Sequence, residues 1–131
     1  MIKTMLITTC LTVGFITLTP AAVINHETML NYMRKLPASK HGEFLYDQVC
    51  AACHTPHKNN SPIEWFTQDA PKIGDTNAWR RIKNRPMNVT YAIVRAGHNL
   101  MPEKGGCHGC SQQELIKAIH YMMNAKQPIS Q

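Results

Sequence analysis

The sequence predicts an all-α protein. Apolar side chains recur at helical spacing in several segments, and no segment alternates apolar and polar residues as a half-buried strand would. Residues 61–64 (SPIE) and 111–114 (SQQE) have the form of the capping box that begins a helix. The 131 residues show no internal repeat and no low-complexity tract, so we expect one small domain.

The first predicted helix lies near the N-terminus. Met29, Leu30, Met33 and Leu36 fall at helical spacing, and Pro37 ends the pattern. We interpret residues 23–41 as an N-terminal extension that carries this short helix.

A second helix is predicted from Gly42 to Cys50, a stretch without a helix-breaking residue. Gly42, Tyr46 and Cys50 share one face at a spacing of four residues. A glycine on that face would let another helix cross closely.

Three further helices are expected in the second half of the chain. The first is capped by Asp75 or Thr76 and includes Trp79. The second begins at residue 88 or 90 and ends at Gly97. The third follows the SQQE capping box.

The sequence CAACH, which contains Cys50, Cys53 and His54, is the most informative motif. C-x-x-C-H is the attachment motif of c-type haem, in which both thiols bond to the porphyrin and the histidine becomes the proximal ligand of the iron. The alternative is a chance C-x-x-C that forms a disulfide or half of a zinc site. Zinc would need two more ligands, and no His-x-x-x-His pair follows. We therefore predict one covalently attached haem c, with its iron, as the cofactor.

Residues 1–22 resemble a secretory signal peptide. Lys3 precedes an apolar stretch from Met5 to Leu18, and small residues after Pro20 suit cleavage. The stretch is shorter than the ~20 residues of a membrane-spanning helix, so a retained anchor is the less favoured alternative. Export would place the protein in the periplasm, where haem c is attached and disulfides persist.

The chain is basic. Its 14 Lys and Arg outnumber 8 Asp and Glu by a formal charge of +6, and removal of the signal segment with Lys3 would leave +5. The basic residues are scattered apart from those at positions 80–85. We therefore expect redox proteins with acidic docking surfaces as partners, no nucleic acid, and membrane contact only through partner complexes.

Met101 is the preferred candidate for the second axial ligand of the iron. It precedes Pro102 in a loop just after a predicted helix, so the chain can turn back over the other face of the haem. A thioether ligand raises the reduction potential, whereas His98, the alternative of another type, would lower it. Met87 is the alternative methionine, and an ordinary place in the core is the other explanation for Met101.

These motifs resemble the class I cytochromes c. The helix that leads into CAACH and the loop at residues 97–102 (GHNLMP) carry this resemblance. The second C-x-x-C, within MPEKGGCHGCS, is similar to the narrower cytochrome c5 family, as are residues 70–75 (APKIGD) and Trp79. The resemblance covers roughly residues 42–124.

The resemblance implies a class I cytochrome c fold, with helices wrapped around one haem and crossing N- and C-terminal helices. It implies that His54 and Met101 are the axial ligands and that the Pro71 carbonyl accepts the other ring N–H of His54. It also implies that Trp79 points its indole N–H toward a haem propionate, the alternative being a plain core aromatic. We place this cytochrome domain at residues 42–126.

The loop between His54 and Ala70 is longer than the resemblance leads us to expect. A short turn through Trp65 and Phe66 is predicted within it. The two rings could pack over a haem edge or display an apolar docking surface, and we expect ordinary burial.

Cys107 and Cys110 form a second pair. They could be a disulfide, a catalytic dithiol or metal ligands, and an oxidising compartment together with Gly109 favours the disulfide. With the family resemblance, we predict a structural disulfide that stiffens the chain before the last helix. Thiol exchange remains an alternative, because Cys110 lies just before a helix.

We therefore expect an electron carrier between respiratory redox partners, and not an enzyme. Ligands on both faces of the iron would let it change oxidation state without binding a substrate. One alternative is a haem subunit of a larger oxidoreductase, or a small peroxidase-like enzyme with a labile sixth ligand and His98 as its distal group. Another is a thiol-redox protein that uses Cys107 and Cys110.

Overall fold

The computed structural model describes residues 25–57 and 62–125. Within these ranges the all-α prediction is confirmed, because the chain forms helices and only one isolated β-bridge. The predicted signal segment, residues 1–22, lies outside the described residues. The helices are α1 (His26–Lys35), α2 (His41–Leu45), α3 (Ala51–His54), α4 (Pro62–Thr67), α5 (Thr76–Lys83), α6 (Met87–Ala96) and α7 (Gln112–Asn124).

A wide helical turn, Tyr46–Cys50, joins α2 to α3, so the chain is helical into the CAACH motif as predicted. The turn is π-helical, and the Ala51 N–H donates to the carbonyl of Tyr46, five residues back. This extra width moves Cys50 off the regular spacing of four residues. The sequence pattern gives no sign of it.

Helix α2 crosses α7 at Gly42, which is buried. A Cβ atom at Gly42 would overlap the Lys117 carbonyl and lie 3.2 Å from the Cβ of Tyr121. Only glycine lets the two backbones come this close. The predicted helix crossing is confirmed.

Helix α1 packs on the protein core. The Asn25 side chain caps it by accepting a hydrogen bond from the Glu27 N–H at 3.1 Å. Met29, Leu30 and Met33 are buried in one cluster with side chains from α2, from α7 and from the second cysteine pair. These other members are Leu45, Cys107, Cys110, Leu115 and Ala118.

An ion pair fastens α1 to the start of α7. The Arg34 guanidinium donates to Glu114 at 2.9 and 3.3 Å, and Glu114 also completes the predicted capping box with Ser111. Burial alone would raise the pKa of Glu114. The hydrogen bonds from Arg34 and Ser111 outweigh burial and hold this pKa at about 2.

The second core cluster lies on the other side of α7. It contains Tyr46, Ile73, Trp79, Ile119, Met122 and Met123. Helix α7 contributes to both clusters, so it is the element on which the others assemble. As predicted, Asp75 caps α5, where its side chain accepts from the Asn77 and Ala78 N–H groups.

The expected burial of Trp65 and Phe66 is wrong. These α4 side chains are 73% and 70% exposed. The reason is that α4 is held by polar contacts from Glu64 and Thr67 to Lys72, which leave its aromatic side chains outside the core. The serine of the capping box predicted for this helix lies outside the described residues.

In the part of the chain that the structure describes, no helix combines the length and apolar character needed to cross a membrane.

Candidate functional site

A cavity of about 370 Å³ opens between α4, α5, α6, α7 and the loop that carries Met101. A second cavity of about 50 Å³ lies beside it and is walled by Cys50 and by apolar side chains of α7. Cys53, His54 and Met101 line both cavities. The structure therefore brings the predicted attachment residues and the predicted axial ligands to one place.

His54 is nearly buried, and its ring is oriented by the main chain. Its Nδ1 lies 2.9 Å from the carbonyl oxygen of Pro71, so this nitrogen donates its hydrogen there and Nε2 is the nitrogen suited to a metal. Burial lowers the pKa of His54, the bond to Pro71 acts in the opposite direction, and the positive charge of Lys72 lowers it further. A neutral ring is the form that binds iron.

Cys50 and Cys53 carry thiols that are not joined to each other. Cys53 is exposed and Cys50 is half-buried. Burial, with a smaller effect of the Cys53 charge, raises the pKa of Cys50 to about 11. Both side chains border the cavities, as attachment to a group held there requires.

A tight turn holds Met101. The backbones of His98 and Met101 exchange two hydrogen bonds, of 3.0 and 2.9 Å. Gly97, with φ of 80°, makes the approach possible, because a Cβ atom there would lie 2.7 Å from the Met101 carbonyl oxygen. Gly97 also ends α6, as predicted.

The structure separates the alternative ligands from Met101. Met87 packs against the second core cluster and is not among the residues that line either cavity. His98 is exposed and borders only the larger cavity. Met101 alone of the three borders both.

Trp79 requires a correction. Its ring is 4% exposed and lines the larger cavity, but its indole N–H donates to the Lys72 carbonyl at 2.8 Å. The expected direction toward a haem propionate is therefore wrong. The cause is the turn before α5, in which the Asp75 N–H donates to the same carbonyl and brings it against the indole.

Thr90, which the sequence offers only as a possible helix start, lines the larger cavity. It is 6% exposed, and its hydroxyl has no hydrogen-bond partner among the described residues. Arg85 borders the same cavity. One feature of the sequence could have indicated this role. Thr90 is a polar residue on the same α6 face as Ile93 and Val94, which lie three and four positions further on.

This set of residues fits a haem. The cavity walls are mainly apolar, which suits a porphyrin, while two thiols, an imidazole and a thioether suit its covalent attachment and its iron. The buried hydroxyl of Thr90 needs a polar partner of the kind that a haem carboxylate offers.

Neither residue of the second cysteine pair lines either cavity. The structure joins Cys107 to Cys110 in a disulfide, and the two residues are 0% and 4% exposed. Leu30 of α1 packs over the turn, 2.9 Å from where a Cβ atom on Gly109 would lie. Such shielding does not suit a thiol-exchange centre, which must be accessible.

Known proteins are similar to this chain over most of the described region. A family model described as cytochrome c oxidase, cbb3-type, subunit III matches residues 37–122. Cytochrome c5 of Ectopseudomonas mendocina is 44% identical over 55 residues, which are 40% of this chain and 63% of that protein. The chain thus spans less than two thirds of this relative.

Two other relatives are covered almost completely. Cytochrome c5 of Azotobacter vinelandii is 31% identical over 86 residues, covering 64% of this chain and 93% of that protein. Cytochrome c-555 of Chlorobaculum thiosulfatiphilum is 31% identical over 86 residues, covering 63% of this chain and 90% of that protein.

A solved structure has a similar fold. It is described as an electron transfer complex of nitrite reductase with cytochrome c, and the matching chain is 31% identical with a TM-score of 0.53. The match covers 71% of this chain and 100% of the other.

The predicted class I cytochrome c fold and the predicted cofactor, haem c with its iron, are confirmed by these relationships. The chain belongs to the class I c-type cytochromes, within the cytochrome c5 family, and is an electron-transfer protein with covalently attached haem c.

Proposed function

We propose that this protein is a periplasmic one-electron carrier between respiratory redox partners, with a haem iron bound by His54 and Met101. One observation carries the proposal: these two side chains border the same two cavities, beside the thiols of the attachment motif. The haem, when bound, supplies a reversible one-electron change of its iron. The protein supplies ligands, orientation and a dry pocket.

Several residues would hold the haem. Cys50 and Cys53 would attach it, while the bond from His54 to the Pro71 carbonyl keeps the imidazole in one orientation. Thr90 would donate its hydroxyl to a haem carboxylate in place of Trp79, whose N–H is already bonded.

The pocket suits a carrier better than a peroxidase. His54 and Met101 would both bind the iron, and no position would then remain there for a substrate. The apolar walls exclude water, which favours the reduced iron with its lower charge. The wall side chains are Ile82, Ile93, Val94, Ile119 and Met122.

We propose redox proteins with acidic docking surfaces as the partners, because the chain without its signal segment carries a formal charge of +5. The solved relative in complex with nitrite reductase supports a partner of the redox class. Contact with a membrane would occur only through partner complexes. A haem subunit of a larger oxidoreductase is the second candidate, since the matching family model is described as an oxidase subunit.

We further propose that residues 1–22 are a cleaved signal peptide and that residues 42–126 form the cytochrome domain, with α1 of the N-terminal extension packed into its core. Cys107 and Cys110 would keep their disulfide in the periplasm as a structural cross-link.

Absorption spectroscopy of the haem-loaded protein tests the ligand set. The haem iron of the wild-type protein should be low-spin. The spectrum should show the red charge-transfer band from methionine sulfur to ferric iron, and carbon monoxide should not change the spectrum. M101A should lose the band and bind carbon monoxide, because truncation removes the sulfur.

M87A is the matched control, since it removes a methionine that borders neither cavity. It should keep the wild-type spectrum. Ready binding of carbon monoxide by the wild-type protein, or loss of the band in M87A but not in M101A, would contradict the proposed ligand set.

A further inference from the structure

Lys72 is a loop lysine whose side chain is only 13% exposed. Its ammonium group donates to the Thr67 carbonyl at 2.9 Å, to the Thr67 hydroxyl at 2.8 Å and to the Cys53 carbonyl at 3.1 Å. One ammonium group therefore bridges α4 to the attachment motif, whose Cys53 lies 19 residues before Lys72.

The backbone around Lys72 serves the same site. The carbonyl before it, of Pro71, accepts from the His54 ring, and its own carbonyl accepts from the Trp79 indole. The next residue, Ile73, donates its N–H to the His54 carbonyl at 2.7 Å. A displacement of the Lys72 backbone would therefore displace the imidazole of His54.

The positive charge of Lys72 is compensated only in part. All three of its hydrogen bonds go to uncharged oxygens. Its one ion pair among the described residues is with Glu64, at 3.4 Å, and that carboxylate oxygen has no hydrogen bond within the described part of the chain. The charge acts at the carbonyl of Cys53, the residue directly before His54.

We propose that Lys72 is a positioning residue that ties α4 to the attachment motif and raises the reduction potential of the haem. A shielded positive charge disfavours the extra positive charge of ferric iron, and Glu64 offsets this effect. The inference rests on the proposed function, because it needs His54 as a ligand of the haem iron.

Redox titration of haem-loaded variants measures the electrostatic part. K72M should lower the reduction potential and E64Q should raise it, because the two side chains carry opposite charges. Each shift should correspond to a three- to tenfold change in the reduction equilibrium, where tenfold equals about 59 mV for one electron. K72R keeps the charge and should lie closer to the wild-type value than K72M.

Limited proteolysis measures the mechanical part. Trp65 is exposed on α4, lines neither cavity and is a cleavage site for chymotrypsin. K72M should be cut there several-fold faster than the wild type, because α4 loses two hydrogen bonds at Thr67 and its ion pair at Glu64, and the link to the Cys53 carbonyl is lost as well. K83M is the matched control, because it removes an equal charge from an exposed position on α5. It should change the reduction potential and the cleavage rate much less than K72M does.

Two outcomes would overturn the inference. One is shifts of the same sign in K72M and E64Q, or a K72M shift no larger than that of K83M. The other is an unchanged rate of cleavage in K72M. The absorption spectra separate these from a failure of the proposed function, which would show as the absence of the methionine–iron band in the wild-type protein itself.

Discussion

Two adjacent carbonyl groups orient both rings at the base of the site. The Pro71 carbonyl accepts from His54, and the Lys72 carbonyl accepts from Trp79, with 6.4 Å between the two ring centroids. Gly74, at φ of 80°, allows the turn that follows them. The imidazole is thus held by backbone atoms, which no side-chain substitution removes directly.

Thr90 provides a test of how the haem carboxylate is held. T90V removes the hydroxyl but keeps the shape of the side chain. If the hydroxyl donates to a haem carboxylate, T90V should lower the free energy of unfolding of the haem-loaded protein by about 1–2 kcal/mol. Chemical denaturation measures this, with T90S as the control that retains the hydroxyl. Unchanged or higher stability of T90V would show that the hydroxyl has no partner in the loaded protein.

The residues of the attachment motif are readable from the sequence because covalent attachment fixes their spacing within five positions. The contacts of Trp79 and Lys72 cannot be predicted from local spacing in this way. The indole partner depends on the turn before α5, and the Lys72 ammonium meets acceptors 5 and 19 residues away. A loop lysine ordinarily indicates a solvated surface, so nothing local predicts its shielding.

Among the helices, the crossing of α2 and α7 fixes one wall of the site. Gly42 sets how closely the helices approach, and Tyr46, one turn later, is buried and bonds Thr55 through its hydroxyl at 2.6 Å. The wide turn that follows carries Cys50 to the smaller cavity.

The crossing predicts the effect of G42A. Overpacking costs about 1–3 kcal/mol, against the gain of about 1 kcal/mol for alanine over glycine within a helix. The neighbouring atoms are backbone atoms of Lys117 that cannot yield cheaply, so a net loss of about 1–2 kcal/mol in the free energy of unfolding is expected.

G109A is the comparison for this prediction. The Cβ atom it adds would meet only the end of the flexible Leu30 side chain, so its effect should be smaller. Equal losses for both variants, measured by denaturant titration, would argue against the tight crossing at Gly42.

Elements that begin with a local capping signal were predictable, as Asp75 and Ser111 show. The wide turn at Tyr46–Cys50 was not, because no residue preference distinguishes it from a regular helix. The exposure of Trp65 and Phe66 was also missed. Their residue type favours burial, but the helix that carries them is fixed by polar contacts.

At the level of the whole molecule, α1 closes the fold by binding the start of α7. Arg34 and Glu114 form the ionic part of this contact, and Met33, which is 0% exposed, forms its apolar part. The N-terminal extension predicted from the sequence therefore contributes directly to the core. The predicted boundary at residue 42 does not reflect this, because local patterns do not show which surface a helix covers.

The ion pair between Arg34 and Glu114 predicts a dependence of stability on pH. The pKa of Glu114 is about 2 in the folded protein against 4.5 as its ordinary value. The ionised carboxylate thus stabilises the fold above pH 4.5, and this contribution disappears as the pH falls toward 2. Because Arg34 is half exposed and solvent screens the pair, about 1–2 kcal/mol is expected.

E114Q measures this contribution as the difference in unfolding free energy between variant and wild type. The difference should be full at pH 6 and shrink steadily below pH 4.5. E103Q, at an exposed position, serves as the control. A difference that stays constant between pH 6 and pH 3 would be inconsistent with the assigned role of the carboxylate.

The excess of basic over acidic residues predicts how the protein associates with its partners. The formal charge is +5 once the predicted signal segment is removed, so association with an acidic redox partner should be faster at low ionic strength. The second-order rate constant of electron transfer should therefore fall as salt is added, by tenfold or more across the range from about 10 to 300 mM. Stopped-flow absorption at the haem band measures this rate, and a rate indifferent to salt would exclude electrostatic steering.

The position of α7 at the end of the described chain has a consequence for the timing of biosynthesis. Its side chains Leu115, Ala118 and Ile119 wall the cavities, yet they are made more than 60 residues after the thiol of Cys50. While the chain emerges from its N-terminus onward, that wall is missing and both thiols remain open to the attachment machinery. We therefore expect attachment to precede the docking of α7, which would then close the pocket and supply Glu114 as the partner of Arg34 on α1.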